Sequence, residues 1–221
     1  MFDQMLPSAV FVAEIFGDDP EVRLFSEEQV FIRNAVPKRK AEFSTVRGCA
    51  RRAMKAFGHS PVPILPGEHG APSWPYGLVG SMTHCAGYRA AAVANSAEII
   101  AIGIDAEPNR PLPVGVLEAV ALSDELHHLR TLPKWPQMNW DRLLFSAKES
   151  VYKTLFPKTH WRLGFDDATI TFDPHDGTFR ARLLTSHLNA VDWWRSELSG
   201  HWFARDGLLC TAIAVPAGGR Y

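Results

Sequence analysis

The chain has 221 residues, 46% of them apolar and 21% charged, enough to bury a sizeable core in one large domain or two small ones. A formal net charge of −1 removes any global electrostatic case for nucleic acid or an anionic membrane as partner. Three scattered cysteines, Cys49, Cys85 and Cys210, have no metal-ligand spacing and fit a reducing compartment better than a disulfide framework.

The opening stretch "MFDQMLPSAVFVAEIFGDDP" carries acids within its apolar run and lacks a basic leader, so no secretory signal is expected. No apolar run nears the roughly 20 residues of a membrane-spanning helix. A soluble, cytoplasmic protein is expected. Ser26 to Phe57 reads as helical, with Ser26 as a cap supported by Glu28. Within it Phe43, Val46, Ala50, Ala53 and Met54 recur at helical spacing, and Gly58 follows as a C-terminal cap. "PVPILPGEHGAPSWP" is an extended connecting loop by its proline and glycine content.

Strands are expected at Gly77–His84, Tyr88–Ala94 and Ile99–Asp105, joined by short turns into an antiparallel meander. After "EPNRPLP" come helical segments near Val114–Leu122 and Asp124–Thr131, then a longer helix from about Trp140 to Phe156 with Asn139 as its cap. Strands return at Ala168–Phe172, Thr178–Leu184, His201–Arg205 and Leu208–Val215, with Asp206-Gly207 as a hairpin turn. "THCAGYRAAAVA" and "FARDGLLCTAIAV" echo one another: a strand, a glycine-containing turn, and a return strand of small and β-branched residues. The echo points to an α+β chain of two duplicated halves meeting near Glu107–Pro113. Residues 1–108 form the expected N-terminal half and 109–221 the C-terminal half, each with a small antiparallel sheet and packed helices.

Four short elements could carry chemistry. In "GIDAEP", Asp105 and Glu107 share one strand face while Ala106 takes the other. Either solvent or a divalent cation relieves their repulsion. In "FSAKESVYK", Glu149 and Lys153 are four apart on a helix, as are Lys148 and Tyr152. A solvated helix flank is the plain reading of that spacing, although Leu143, Leu144, Val151 and Leu155 mark the helix as partly buried. Asp105, Glu107 and Glu149 together would offer carboxylate oxygens to hard Mg²⁺, which favours few carboxylates plus water and phosphate oxygens. "GSMTH" places Ser81 and His84 near a strand end, where a histidine is either structural or a phosphate donor. In "TVRGCARR", Arg47 and Arg51 share a helix face, as surface charge or as a planar grip on phosphate.

Taken in order, "VGSMTHCAGYRAAAVA", "GIDAEP" and "FSAKESVYK" supply S-x-x-H, G-I-D-x-E and K-E-S-x-x-K. No one of these motifs suffices, but the ordered set resembles the 4′-phosphopantetheinyl transferases. The likeness is to the monomeric, two-half class that activates enterobactin synthase, surfactin synthetase and other carrier-protein assembly lines, and it covers roughly Ala41 to Phe156. The resemblance implies transfer of phosphopantetheine from coenzyme A to a serine of an acyl or peptidyl carrier protein, with adenosine 3′,5′-bisphosphate as the other product. It implies Asp105, Glu107 and Glu149 as ligands of Mg²⁺, with Mn²⁺ as a substitute. Glu149 would also help deprotonate the carrier serine, directly or through a metal-bound water. Lys153 would contact the pyrophosphate with Lys148 in support, and Arg47, Arg51, Ser81 and His84 would bind the nucleotide side, with Arg52 as the alternative to Arg51. One departure lies in "ILPGEHG", where Pro66 stands in place of a lysine found in some relatives.

Two other readings compete: a non-catalytic coenzyme A or nucleotide-binding module, and a metal-dependent phosphodiesterase. The acidic trio with both lysines favours the transferase. "LPKWPQMNW" sets Trp135, Met138 and Trp140 beside Lys134, just before the acidic helix. It is either a loop whose aromatics pack on the protein itself or a docking surface for the carrier protein.

Overall fold

The computed structural model of the chain describes residues 1–136, 138–184 and 197–218. Eight strands among these residues form two antiparallel sheets. The first has three strands, β1 (Val10–Phe16), β2 (Leu78–Cys85) and β3 (Tyr88–Asn95), in the order β1-β3-β2. The second contains β4 (Ile99–Pro108), β5 (Ala168–Asp173), β6 (Thr178–Leu183), β7 (Glu197–Arg205) and β8 (Leu208–Pro216), in the order β4-β8-β7-β6-β5. Strand β1 lies in the stretch read from the sequence only for a leader, and it pairs along its whole length with β3.

Three expectations are corrected. The helical stretch beginning at Ser26 is two helices, α1 (Ser26–Ile32) and α2 (Pro37–Lys55). Pro37 opens the second, where its missing N–H costs nothing, and it holds Val36 extended. Ser26 is not the cap: its hydroxyl turns to Glu27, while the Glu28 carboxylate accepts the Phe25 N–H at 3.0 Å. The meander stops after two strands, because β1 and β2 already occupy both edges of β3. β4 pairs instead with β8, opposing Asp105 to Thr211.

β4 nevertheless runs beside β2, and side chains replace the missing ladder. The Ser81 hydroxyl accepts the Ile104 N–H at 3.1 Å, and the Thr83 hydroxyl accepts the Ala106 N–H at 3.0 Å. These two residues therefore tie the sheets together. The echoed segments are the β2–β3 and β7–β8 hairpins. In the latter, Asp206 and Gly207 both take positive φ, 53° and 74°, as a two-residue hairpin turn of matching twist requires.

The helices in between are α3 (Val116–Val120), α4 (Ser123–Thr131) and α5 (Trp140–Thr159). Leu143, Leu144, Ala147, Val151 and Leu155 of α5 enter one core with the second sheet. Ile104 and Ala106 of β4 face a separate core with Tyr88, Ala90 and Ala92 of the first sheet. A third core lies between α2 and β3. No helix among the described residues is long and apolar enough to cross a membrane.

Candidate active site

Alternation along β4 sends Ile104 and Ala106 into the core and leaves Gly103, Asp105 and Glu107 toward α5. Gly103 is where the helix comes nearest: a Cβ there would lie 2.1 Å from the Ser150 carbonyl oxygen. That approach brings Lys153 onto the acidic strand. Its Nζ donates to Asp105 Oδ1 at 2.6 Å and to the Ile104 carbonyl at 3.3 Å. Asp105 is buried and accepts two further bonds, from Thr83 at 3.4 Å on Oδ1 and from Ser146 at 2.8 Å on Oδ2. Glu107 is paired with Arg142 at 3.1 Å.

Burial pushes the Glu107 carboxyl above its ordinary range, and neighbouring Asp105 adds to the push against the pull of Arg142. Glu149 is raised by burial too, with Lys153 opposing and Asp105 reinforcing the shift. Among the described residues, no three His, Cys, Asp or Glu side chains are gathered closely enough to hold a metal ion. The donor chemistry does suit a hydrated hard cation, which takes a few carboxylate oxygens and completes its shell with water and phosphate. Asp105 acts electrostatically on both the Glu107 and the Glu149 carboxyl.

Beside this cluster a cavity of about 300 Å³ opens between α2, the loop after it, β2 and α5. Arg39, Arg47, Ser81, His84, Glu149 and Lys153 contribute to its polar wall, and Phe43, Tyr152 and Phe156 to its apolar wall. His84 lies 2.7 Å from Arg39, and burial followed by that guanidinium lowers its affinity for a proton. Arg47 reaches the wall from a buried position. Its Nε donates to the Ile64 carbonyl at 2.9 Å and its guanidinium stacks 3.2 Å from the centre of the Phe43 ring. Desolvation lowers its pKa to about 10. Pro66 lies in the wall with His69, whose ring meets Phe156 edge-on.

Two expected residues stand elsewhere. Arg51 is spent on the fully buried Glu28, with its Nη1 2.9 and 3.1 Å from the two carboxylate oxygens. Arg52, the alternative, turns to Asp19 at 3.4 Å. Lys148 points away from Lys153, and its Nζ bonds Glu125 at 2.8 Å and the Val120 carbonyl at 2.9 Å. Burial lowers its pKa, and Glu125 opposes that. Both cations thus clamp helices by pairing with buried acids.

Sequence reading missed Arg39, Arg142, Thr83, Ser146 and Thr211 as neighbours of the site, and Glu28 as the acid behind Arg47 and Arg51. One signal was available: Ser146, Ser150 and Thr154 recur every fourth residue, a polar stripe on an otherwise buried helix face. In the segment before α5, Trp140 meets Trp202 edge-on at 5.2 Å and donates its ring N–H to the Pro133 carbonyl. Trp135 keeps 45% of its surface exposed and shares a groove with Met138 and the β7–β8 turn. Gln137 of that segment lies outside the described residues.

Residues 27–94 match the family profile described as 4′-phosphopantetheinyl transferase N-terminal domain, and residues 101–212 match that of the 4′-phosphopantetheinyl transferase superfamily. The chain is 50% identical over 221 residues to the 4′-phosphopantetheinyl transferase Svp of Streptomyces mobaraensis, covering 98% of this chain and 90% of that one. It is 44% identical to the 4′-phosphopantetheinyl transferase PptT of Mycobacterium tuberculosis, covering 96% of each. Identity to enterobactin synthase component D of Salmonella typhimurium is 31%, over 83% of this chain and 75% of that protein.

Proposed function

Because the chain belongs to the 4′-phosphopantetheinyl transferase superfamily and is an enzyme of that class, we propose that it moves phosphopantetheine from coenzyme A to a serine of an apo acyl or peptidyl carrier protein. The observation that carries this reading is one cavity whose wall holds Arg39, Arg47, His84 and Lys153, with Glu149 among the same lining residues. Cationic and imidazole donors suit the phosphates of coenzyme A. The apolar wall of Phe43, Tyr152 and Phe156 suits a nucleoside.

In this reading the carrier serine Oγ forms a bond to the phosphorus bearing the pantetheine arm, and the bond from that phosphorus to the bridging oxygen breaks. Adenosine 3′,5′-bisphosphate leaves. Glu149 takes the proton from the serine hydroxyl, and its raised pKa brings it toward the range where a carboxylate serves as a base. Lys153 holds the pyrophosphate and offsets charge on the departing oxygen. Bound to Asp105, Glu107 and Glu149, Mg²⁺ would supply further neutralisation of the pyrophosphate oxygens. Arg47 and His84 orient the nucleotide. Lys148 and Arg51 keep the helices in place and do not touch substrate, and Ser81 shapes the wall through its bond to β4. We take 1–108 and 109–221 as the two halves; one chain supplies both, so a monomer suffices.

The test is incubation with coenzyme A, Mg²⁺ and an apo carrier protein, read by intact mass. A gain of one phosphopantetheine on the carrier serine is expected. Binding of coenzyme A with no transfer would favour the non-catalytic module, and release of free phosphopantetheine would favour hydrolysis.

A further inference from the structure

Thr154, Thr159 and Ser44 each bond the carbonyl four residues earlier, the local habit of hydroxyls on helices. Ser146 and Ser150 on α5 turn across to β8 instead. Ser146 Oγ is 2.8 Å from Asp105 Oδ2 and 2.9 Å from Thr211 Oγ1, and Ser150 Oγ is 2.5 Å from the same Thr211 oxygen. All three side chains are fully buried, and Thr211 is the cross-strand partner of Asp105.

Proton counting fixes the end of this chain at Asp105. A carboxylate only accepts, so Ser146 must donate its one proton to Asp105. Its lone pairs then face Thr211, whose hydroxyl has the Ser146 hydroxyl and carbonyl as acceptors, 2.9 and 3.0 Å away. Ser150 Oγ lies beside the same Thr211 oxygen and also has the Thr211 carbonyl as an acceptor at 3.2 Å. We propose that Thr211 and Ser146 form a buried hydroxyl relay and are positioning residues that hold the Asp105 carboxylate turned for a cation. Aligned hydroxyls polarise one another, and outer-shell partners of this kind orient a metal ligand without touching the metal. Lys153 and Thr83 hold the other oxygen, Oδ1, so each oxygen of Asp105 has its own restraint. The proposal rests on the cation-assisted reading above.

Thr211→Val keeps the shape of the side chain and removes the middle hydroxyl. Calorimetric titration of Mg²⁺ into the coenzyme A-bound protein should show a Kd weaker by about 10- to 100-fold. The Mg²⁺ concentration for half-maximal transfer should rise by the same factor while the KM for coenzyme A stays within twofold. Thr211→Ser should restore both. A folded Thr211→Val with wild-type Mg²⁺ affinity overturns the relay, whatever its melting temperature, since the hydroxyls would then serve packing alone. If that variant does not fold, Ser146→Ala is judged by the same two measurements. Undiminished transfer by the wild-type protein in excess chelator would overturn the cation reading itself, separately from any variant.

Discussion

Gly103→Ala tests how the acidic strand and the catalytic helix are brought together. The added Cβ would lie 2.1 Å from the Ser150 carbonyl oxygen, 2.2 Å from Thr154 Oγ1 and 2.9 Å from the Thr154 nitrogen. Two of these are backbone atoms of α5, so no side-chain rotation relieves the clash. Restoring ordinary contact requires the helix to retreat by about 1 Å. Overpacking of this kind costs about 1–3 kcal/mol, or about 2–12 °C in Tm for a chain of this size. The same retreat stretches the bonds that Lys153 and Ser146 make to Asp105, now 2.6 and 2.8 Å. Misplacement of about 1 Å among reacting groups can cost about 100-fold in rate. The assay is initial transfer rate to carrier protein beside a thermal melt. Adding Thr154→Ala should recover little, because the Ser150 carbonyl remains. A Tm within a degree of wild type and a rate within twofold would refute the claim that this glycine sets the helix–strand distance.

The two arginines of α2 should separate. Arg51→Ala breaks a buried ion pair with Glu28 and should cost about 3 kcal/mol in denaturant melts, with the KM for coenzyme A unchanged. Arg47→Ala should raise that KM as well as lower stability, and equal KM values for the two variants would remove Arg47 from the substrate. If the groove beside Trp135 is the carrier surface, Trp135→Ala should raise the KM for carrier protein several-fold and spare that for coenzyme A; equal effects on both, or none, sink the assignment. Burial raises the thiols of Cys49, Cys85 and Cys210, Cys85 to about 12. The native protein should therefore resist thiol reagents at pH 8. The thiols stay protonated in the fold while the unfolded chain loses these protons from about pH 9, so stability is intact below pH 9 and falls above it. Each thiol contributes up to about 1.4 kcal/mol per pH unit. Unchanged denaturant midpoints between pH 9 and pH 10.5 would contradict this.

Local periodicity made much of the architecture legible. Alternation in "GIDAEP" was enough to put Asp105 and Glu107 on one face, and four-residue spacing was enough to put Glu149 and Lys153 on one helix face. Turn chemistry marked both echoed hairpins, and the ordered motifs pointed to the family. Short-range rules do not say which distant partner arrives. Arg47, Arg51, Lys148 and Lys153 are alike as helical cations, yet Lys153 meets Asp105, Lys148 meets Glu125 and Arg51 meets Glu28. Burying a cation demands a counter-charge, and packing across many residues selects it. The pairing of β4 with β8 was decided the same way, by the edges that β1 and β2 had already filled. The hydroxyls of Thr83 on β2 and Ser146 on α5 reach the Asp105 carboxylate, with Thr211 on β8 behind Ser146, and only the tertiary structure brings these three elements together.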